Sequence, residues 1–189
     1  MKKYKLTDET SLCCGRTLHR IVALRDFDEV RKGDKGGWIE KEENLSQEGN
    51  CWVYNDAFVY DNAQILNNAK IFNNAIIFDN AKIYGLAVIN GNIIIKGNTE
   101  ISDTTVVIGD LKIINAKITN NKDYIVFKNW WSSGRYFIWT RSNNMWSVGC
   151  FFGTGDELIK KAYADSEDKG KHYEEIVEYV NKCVLENKN

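Results

Sequence analysis

The side chains best suited to chemistry lie in one short stretch. Between 130 and 146 the chain carries Trp130, Trp131, Tyr136, Trp139 and Trp146, together with Arg135 and Arg141. Aromatic faces stack on nucleobases, and guanidinium groups pair with phosphate in a forked geometry. A pocket combining them would suit a nucleotide or a nucleotide-derived ligand. For any single Trp the more ordinary role is in the core of a small sheet, which needs large side chains to bury enough surface. Strand alternation divides them: Tyr136, Ile138 and Thr140 face one way, and Phe137, Trp139 and Arg141 the other. Arg141 and Trp139 therefore lead as ligand contacts, and Arg135, on the hairpin turn, follows.

No other group of residues reads as a reactive centre. The five cysteines form no CxxC pair and no metal spacing, and their odd number suggests reduced thiols in a cytoplasm. Cys150, inside the apolar VGCFF, reads as a core residue, Cys51 as a substitute for a small residue, and Cys183 as lying on or beside a helix's apolar face. The two histidines, His19 and His172, read as ordinary surface or cap residues. The segment GDKGG lacks the Gly-Lys-Ser/Thr ending of a phosphate loop, so it reads as turn chemistry. No catalytic residue, metal ligand or cofactor is assigned.

Composition narrows the partners. Lys+Arg 25 against Asp+Glu 26 gives no basic excess, so duplex nucleic acid is not indicated. No apolar run approaches the length of a membrane span.

The elements that must position the aromatic cluster follow from a repeat. From Asn50 to Asn115 the chain reads in hexads: NCWVYN, DAFVYD, NAQILN, NAKIFN, NAIIFD, NAKIYG, LAVING, NIIIKG, NTEISD, TTVVIG, DLKIIN. The fourth position is always Val or Ile, the second is usually small, and the sixth and first are mostly Asn, Asp or Gly. One inward aliphatic flanked by two outward residues is the pattern of a very short strand. The Asn/Asp/Gly pair turns the chain, because these residues accept positive φ most cheaply. Three such units close a triangular coil, so equivalent positions recur about every 18 residues. The predicted inward columns are Val53/Ile71/Ile89/Val107, Val59/Ile77/Ile95/Ile113 and Ile65/Ile83/Ile101, with Asn44, Asn62, Asn80 and Asn98 stacked at one corner. NAKITN at 115–120 begins one residue early, which predicts a distorted last coil.

The predicted architecture is mainly β, in three parts. Residues 1–43 form a β-rich cap with strands in KYKLT and RTLHRIVAL, residues 44–121 the solenoid, and residues 122–189 an α+β module. In that module YIVFKN, RYFIWTR and MWSVGCFF read as a three-stranded meander. Thr154 and Glu157 have the spacing of a capping box for a first helix. A second helix near 170–186 carries Tyr173, Ile176, Val177, Val180 and Val184 on its apolar stripe.

The hexads resemble the hexapeptide repeat of left-handed β-helix proteins. GGWIEKEENLSQEGNCWVY and WTRSNNMWSVGCFFGT resemble a family of phage- and prophage-encoded hexapeptide-repeat proteins, often labelled transferase-like from the repeat alone. The resemblance implies left-handed coils and a location in a host cytoplasm. Acyltransferases on this fold usually draw a general base from a histidine at a coil edge or on an inserted loop. Here neither histidine lies in the coils, and no loop interrupts them. The expected function is therefore a non-enzymatic binding protein, able to sequester a nucleotide-derived immune signal. A divergent acyl- or nucleotidyl-transferase and a structural or host-protein interaction module are the alternatives.

The outward residues predict an assembly. One wall of the triangle presents Phe58, Tyr60, Ile76, Phe78 and Ile94, a strip too apolar for a soluble monomer to leave bare. A second subunit or the C-terminal module must cover it. Hexapeptide proteins commonly pair such walls about a threefold axis, so a homotrimer is expected.

Overall fold

A computed structural model describes residues 1–186, with side chains through 184; the last three residues of the predicted C-terminal module lie outside the described residues. The repeat folds into about four turns of a parallel β-solenoid. Hexads supply strands of two to four residues, which stack as the parallel rungs of three sheets. Ile71 pairs with both Val53 and Ile89, Ile77 with both Val59 and Ile95, and Ile83 with both Ile65 and Ile101. Every member of the three predicted columns is 0% exposed. The interior is thus a dry stack of β-branched residues, with Ala57, Ala63, Ala69, Ala75, Ala81 and Ala87 at the tight corners.

The sixth hexad position supplies the turn at each corner. From Asn55 to Asn115 it lies at positive φ throughout, near +55° where it is Asn or Asp. Gly91 and Gly109 differ, at 128° and 132°, a region closed to residues with a Cβ. They are stacked, and a Cβ on Gly91 would collide with the Gly109 carbonyl oxygen. The asparagine corner forms a ladder: Asn62 donates to Asn80 at 3.2 Å and Asn80 to Asn98 at 3.2 Å. Asn44 instead turns inward and donates to the carbonyls of Asp61 and Ala63.

The N-terminal strands Tyr4–Cys13 and Arg16–Ala23 form a hairpin that continues one solenoid sheet through Lys35–Ile39. Part of the expected Gly-rich turn is therefore a rung, with Trp38 beside Phe58 and Ile39 beside Val59. Gly37 permits this, since a Cβ there would meet the Ala57 carbonyl and the Val53 side chain.

This hairpin also covers part of the apolar wall. Leu18 packs with Trp38 and Tyr60, and Tyr60 is only 4% exposed and stacked on Phe78. At the other end of the same wall Ile114 is buried where the meander meets the last coil. Phe58, Ile76, Phe78 and Ile94 remain half-buried.

The last coil is one residue short, as its letters predict: Glu100 pairs with Lys117 and Ile101 with Ile118. The meander beyond it has four strands, not three: Tyr124–Lys128, Tyr136–Thr140, Met145–Val148 and Phe151–Gly153. MWSVGCFF breaks at Gly149, whose φ is +57°. Cys150 consequently sits exposed on a turn and not in a core. Helix α1 spans Gly155–Asp165 and starts with the predicted capping box of Thr154 and Glu157. Helix α2 spans Glu167–Glu186, three residues earlier than the apolar stripe alone suggests.

The meander is a two-faced layer. Ile138 packs into the solenoid core, joined by Tyr124 and Val126. Phe137, Trp139 and Trp146 face the helices and meet Leu158, Ala162, Tyr173, Val177 and Val180. Among the described residues no helix is long and apolar enough to cross a membrane.

Candidate functional site

The aromatic cluster divides between core and surface. Trp139 and Trp146 are 1% and 2% exposed and fill the layer between meander and helices. They pack; they do not offer a face to a ligand. The Trp139 indole N–H donates to Asn144 at 2.9 Å. Arg141 is exposed and lies beside Trp139, as alternation requires, with its guanidinium 5.9 Å from the ring. Its Nε donates to the Lys122 carbonyl. Tyr136 points to solvent next to Lys128. Arg135 and Arg141 flank opposite ends of one extended strand, roughly 20 Å apart at the usual rise per residue. The seven residues therefore do not converge on one pocket, because a single strand spreads them along its length and over both faces.

Arg141 lines a pocket beside Asp123 and Tyr124, and Arg135 lines another, with partners the sequence did not suggest. This second pocket lies between the loop 129–135, the turn at Gly149, and helices α1 and α2, with a volume of about 180 Å³. Val148, Phe151 and Leu158 give it an apolar floor, and Arg135, Lys161 and Asp165 provide its charged groups. The loop is closed on itself: Asn129 N–H donates to the Arg135 carbonyl at 2.8 Å, and Gly134 N–H to the Asn129 carbonyl at 2.7 Å. These bonds hold Asn129 and Arg135 opposite one another at the mouth of the meander turn.

Asn129 is the unusual member. It is 5% exposed, and its Nδ2 donates to the Tyr173 hydroxyl at 2.6 Å. Its Oδ1 is buried with no partner. A buried acceptor left unpaired costs about 1–3 kcal/mol, so such atoms are usually answered by a ligand or a water. Burial raises the Tyr173 phenol above its ordinary value, with the Asn129 hydrogen bond opposing, so it stays protonated at neutral pH.

An aromatic ledge continues from Tyr173. Trp131 packs edge-on to Tyr173 at 5.4 Å and stacks on His172 at 4.9 Å. Trp130, 74% exposed, stands edge-on to both Trp131 and His172. The two histidines are held by backbone: His19 Nδ1 by the Thr7 carbonyl and His172 Nδ1 by the Asp168 carbonyl.

A larger furrow of about 510 Å³ runs along the asparagine corner, past Arg16, Glu40 and Asp61. Three of its charges answer one another, since Arg16 bridges both Glu40 and Asp61. The C-terminal pocket differs in having Asn129, with its unpartnered Oδ1, among its lining residues.

No family model matches the chain. Over an alignment 63 residues long, the chain is 40% identical to "Uncharacterized acetyltransferase YdcK" of Escherichia coli (strain K12). The match takes in 29% of this chain and 19% of the length of that protein. Taken with the parallel solenoid, this likeness fits a hexapeptide-repeat protein.

Proposed function

We propose that the chain is a non-enzymatic binding protein that holds a small nucleotide-derived ligand in its C-terminal pocket. The observation that carries this reading is a cavity lined by Asn129, Arg135 and Lys161, of which Asn129 has a buried, unpartnered Oδ1 that a turn of its side chain would bring to a ligand. Oδ1 would accept from an N–H or O–H of a base or sugar. Arg135 and Lys161 would take a phosphate, with Arg135 offering the forked geometry. A cavity of about 180 Å³ admits one ring or one phosphate, so the remainder of the ligand would rest on the loop that carries Trp130. Sequestration of a host immune signal by a phage-encoded homotrimer is the biological form that the family resemblance suggests.

The likeness to a protein named as an acetyltransferase favours a second reading, acyl transfer. It would need a base aimed at a nucleophile; the carbonyl on each Nδ1 leaves Nε2 as the basic nitrogen, but both histidines lie outside the hexads of the solenoid.

One experiment separates the two. The protein is purified from cells, denatured, and the released small molecules identified by mass spectrometry. Binding predicts a nucleotide from the wild type and from Arg141→Ala, and none from Arg135→Ala. An acyl-CoA in its place would establish the second reading, and the absence of any nucleotide would reject the first.

A further inference from the structure

The N-terminal hairpin ends in two adjacent thiols. Cys13 pairs with Arg16 across the strands, leaving Cys14 and Gly15 as a two-residue turn with φ of 50° and 80°. Both signs are those of a type I′ hairpin turn. This turn brings the Cys13 and Cys14 sulfurs to 3.9 Å. Cys13 packs against the cluster of Leu18, Trp38 and Tyr60. Tyr60 is itself buried under Leu18, so the pair rests against the solenoid wall. Cys14 is exposed and Cys13 is half-buried.

We propose that Cys13 and Cys14 form a redox site that reacts with low-molecular-weight disulfides and closes a reversible disulfide between the two neighbours. The Cys14 thiolate attacks one sulfur of the external disulfide, forming a mixed disulfide and releasing one small thiolate, which takes a proton. Cys13 then gives up its proton and attacks the Cys14 sulfur, expelling the second small thiolate. Two protein thiols are oxidised, and one external disulfide is reduced to two thiols. The exposed Cys14 thiol starts the exchange because it is the more open of the two to the reagent. Burial holds the Cys13 thiol above its ordinary value, with the neighbouring Cys14 adding to the shift, which suits the resolving partner.

Adjacent Cα atoms are about 3.8 Å apart, shorter than the roughly 4.4 Å at which disulfides normally begin. The bond is therefore strained and readily reduced, which makes the site reversible in a thiol buffer.

The test uses oxidised glutathione on the native protein, followed by denaturation, alkylation and peptide mass mapping. The expected product is a peptide containing Cys13 and Cys14 that has lost two hydrogens, carries no alkyl group or glutathione, and is restored by reduced glutathione. In Cys13→Ser a glutathione adduct should accumulate on Cys14. A stable glutathione adduct on the wild-type pair, a disulfide-linked dimer through the hairpin tip, or two alkylated thiols would each overturn the proposal. So would Cys13→Ser without an adduct on Cys14.

Discussion

The amine of Lys3 lies 3.3 Å from the thiol of Cys51, and both residues are 0% exposed. Lys3 Nζ also donates to the carbonyls of Cys51, Glu48 and Gly49, at 2.9, 3.3 and 3.4 Å. These are carbonyls of the first coil's leading edge. Cys51 stands where the next six hexads have Ala, and its thiol is what meets the lysine. Burial pushes Lys3 below its ordinary value, with Cys51 opposing; burial pushes Cys51 up, with Lys3 opposing.

Lys3→Met should destabilise the protein by about 1–3 kcal/mol, because buried carbonyls lose their donor. The loss should grow with pH. Between the depressed folded value and the ordinary 10.5, the unfolded chain binds a proton that the folded amine has released. Wild-type stability from this group therefore rises with pH in that window, and the variant lacks the gain. Urea midpoints of both proteins, compared at neutral pH and near the top of the window, check this. An equal gap at the two pH values would contradict it.

Ile77→Asp should abolish folding. The side chain is fully enclosed between Val59 and Ile95, where a carboxylate finds no partner. Tyr84→Glu, on the polar wall of the same solenoid, should be tolerated. Far-UV circular dichroism of the soluble fractions compares them, and a folded Ile77→Asp protein would refute the inward column.

Asp123 joins solenoid to meander. Its Oδ2 accepts from the Thr119 amide at 2.8 Å, the Thr119 hydroxyl at 2.9 Å and the Asn120 amide at 3.1 Å. Burial alone would raise this carboxyl, but those donors and the nearby Arg141 outweigh it and hold the group below 3.8. The stabilisation is thus present above the unfolded value and fades as pH falls through the folded one. Asp123→Ala should cost about 1–3 kcal/mol at neutral pH by loss of charge-assisted bonds, and the difference from wild type should shrink in acid. A difference unchanged down to pH about 3 would argue against this carboxylate as the source.

Legibility followed the locality of the signal. Solenoid columns, corner turns and the short last coil were readable because each rung repeats the same local rule. The helix cap at Thr154 was readable for the same reason. The fourth meander strand was not, since an apolar run such as MWSVGCFF does not mark where Gly149 will bend it. Cover of the apolar wall by Leu18 was missed because a hairpin's packing partner is nonlocal. The aromatic cluster was legible as composition, but Trp139 and Trp146 proved to be interior. Lys161 and Asp165 share one face of helix α1 at i,i+4 spacing, but nothing in the sequence joins them to Asn129 in the loop before the second meander strand.

The exposed remainder of the apolar wall tests assembly. Leu18 and the meander already shield its two ends, leaving Ile76, Phe78 and Ile94 half-buried in the middle. Light scattering should report a trimer in micromolar solution. Ile76→Lys combined with Phe78→Glu should dissociate it by placing charges in the contact, while Tyr84→Glu leaves it intact. A monomeric wild type would show that the hairpin and meander suffice.

The short final coil has a consequence for growth. A stack of identical rungs is a template, and copies could add end to end into a filament. Dropping one residue at Lys117 puts the terminal rung out of phase with any newcomer. Side chains of the meander turn then occupy its hydrogen-bonding groups: Ser142 accepts from the Lys117 amide at 2.7 Å, and Asn143 donates to the carbonyls of Ile114 and Asn115. The missing residue thus acts as a stop signal, by which a sequence built for indefinite propagation counts out about four turns and ends.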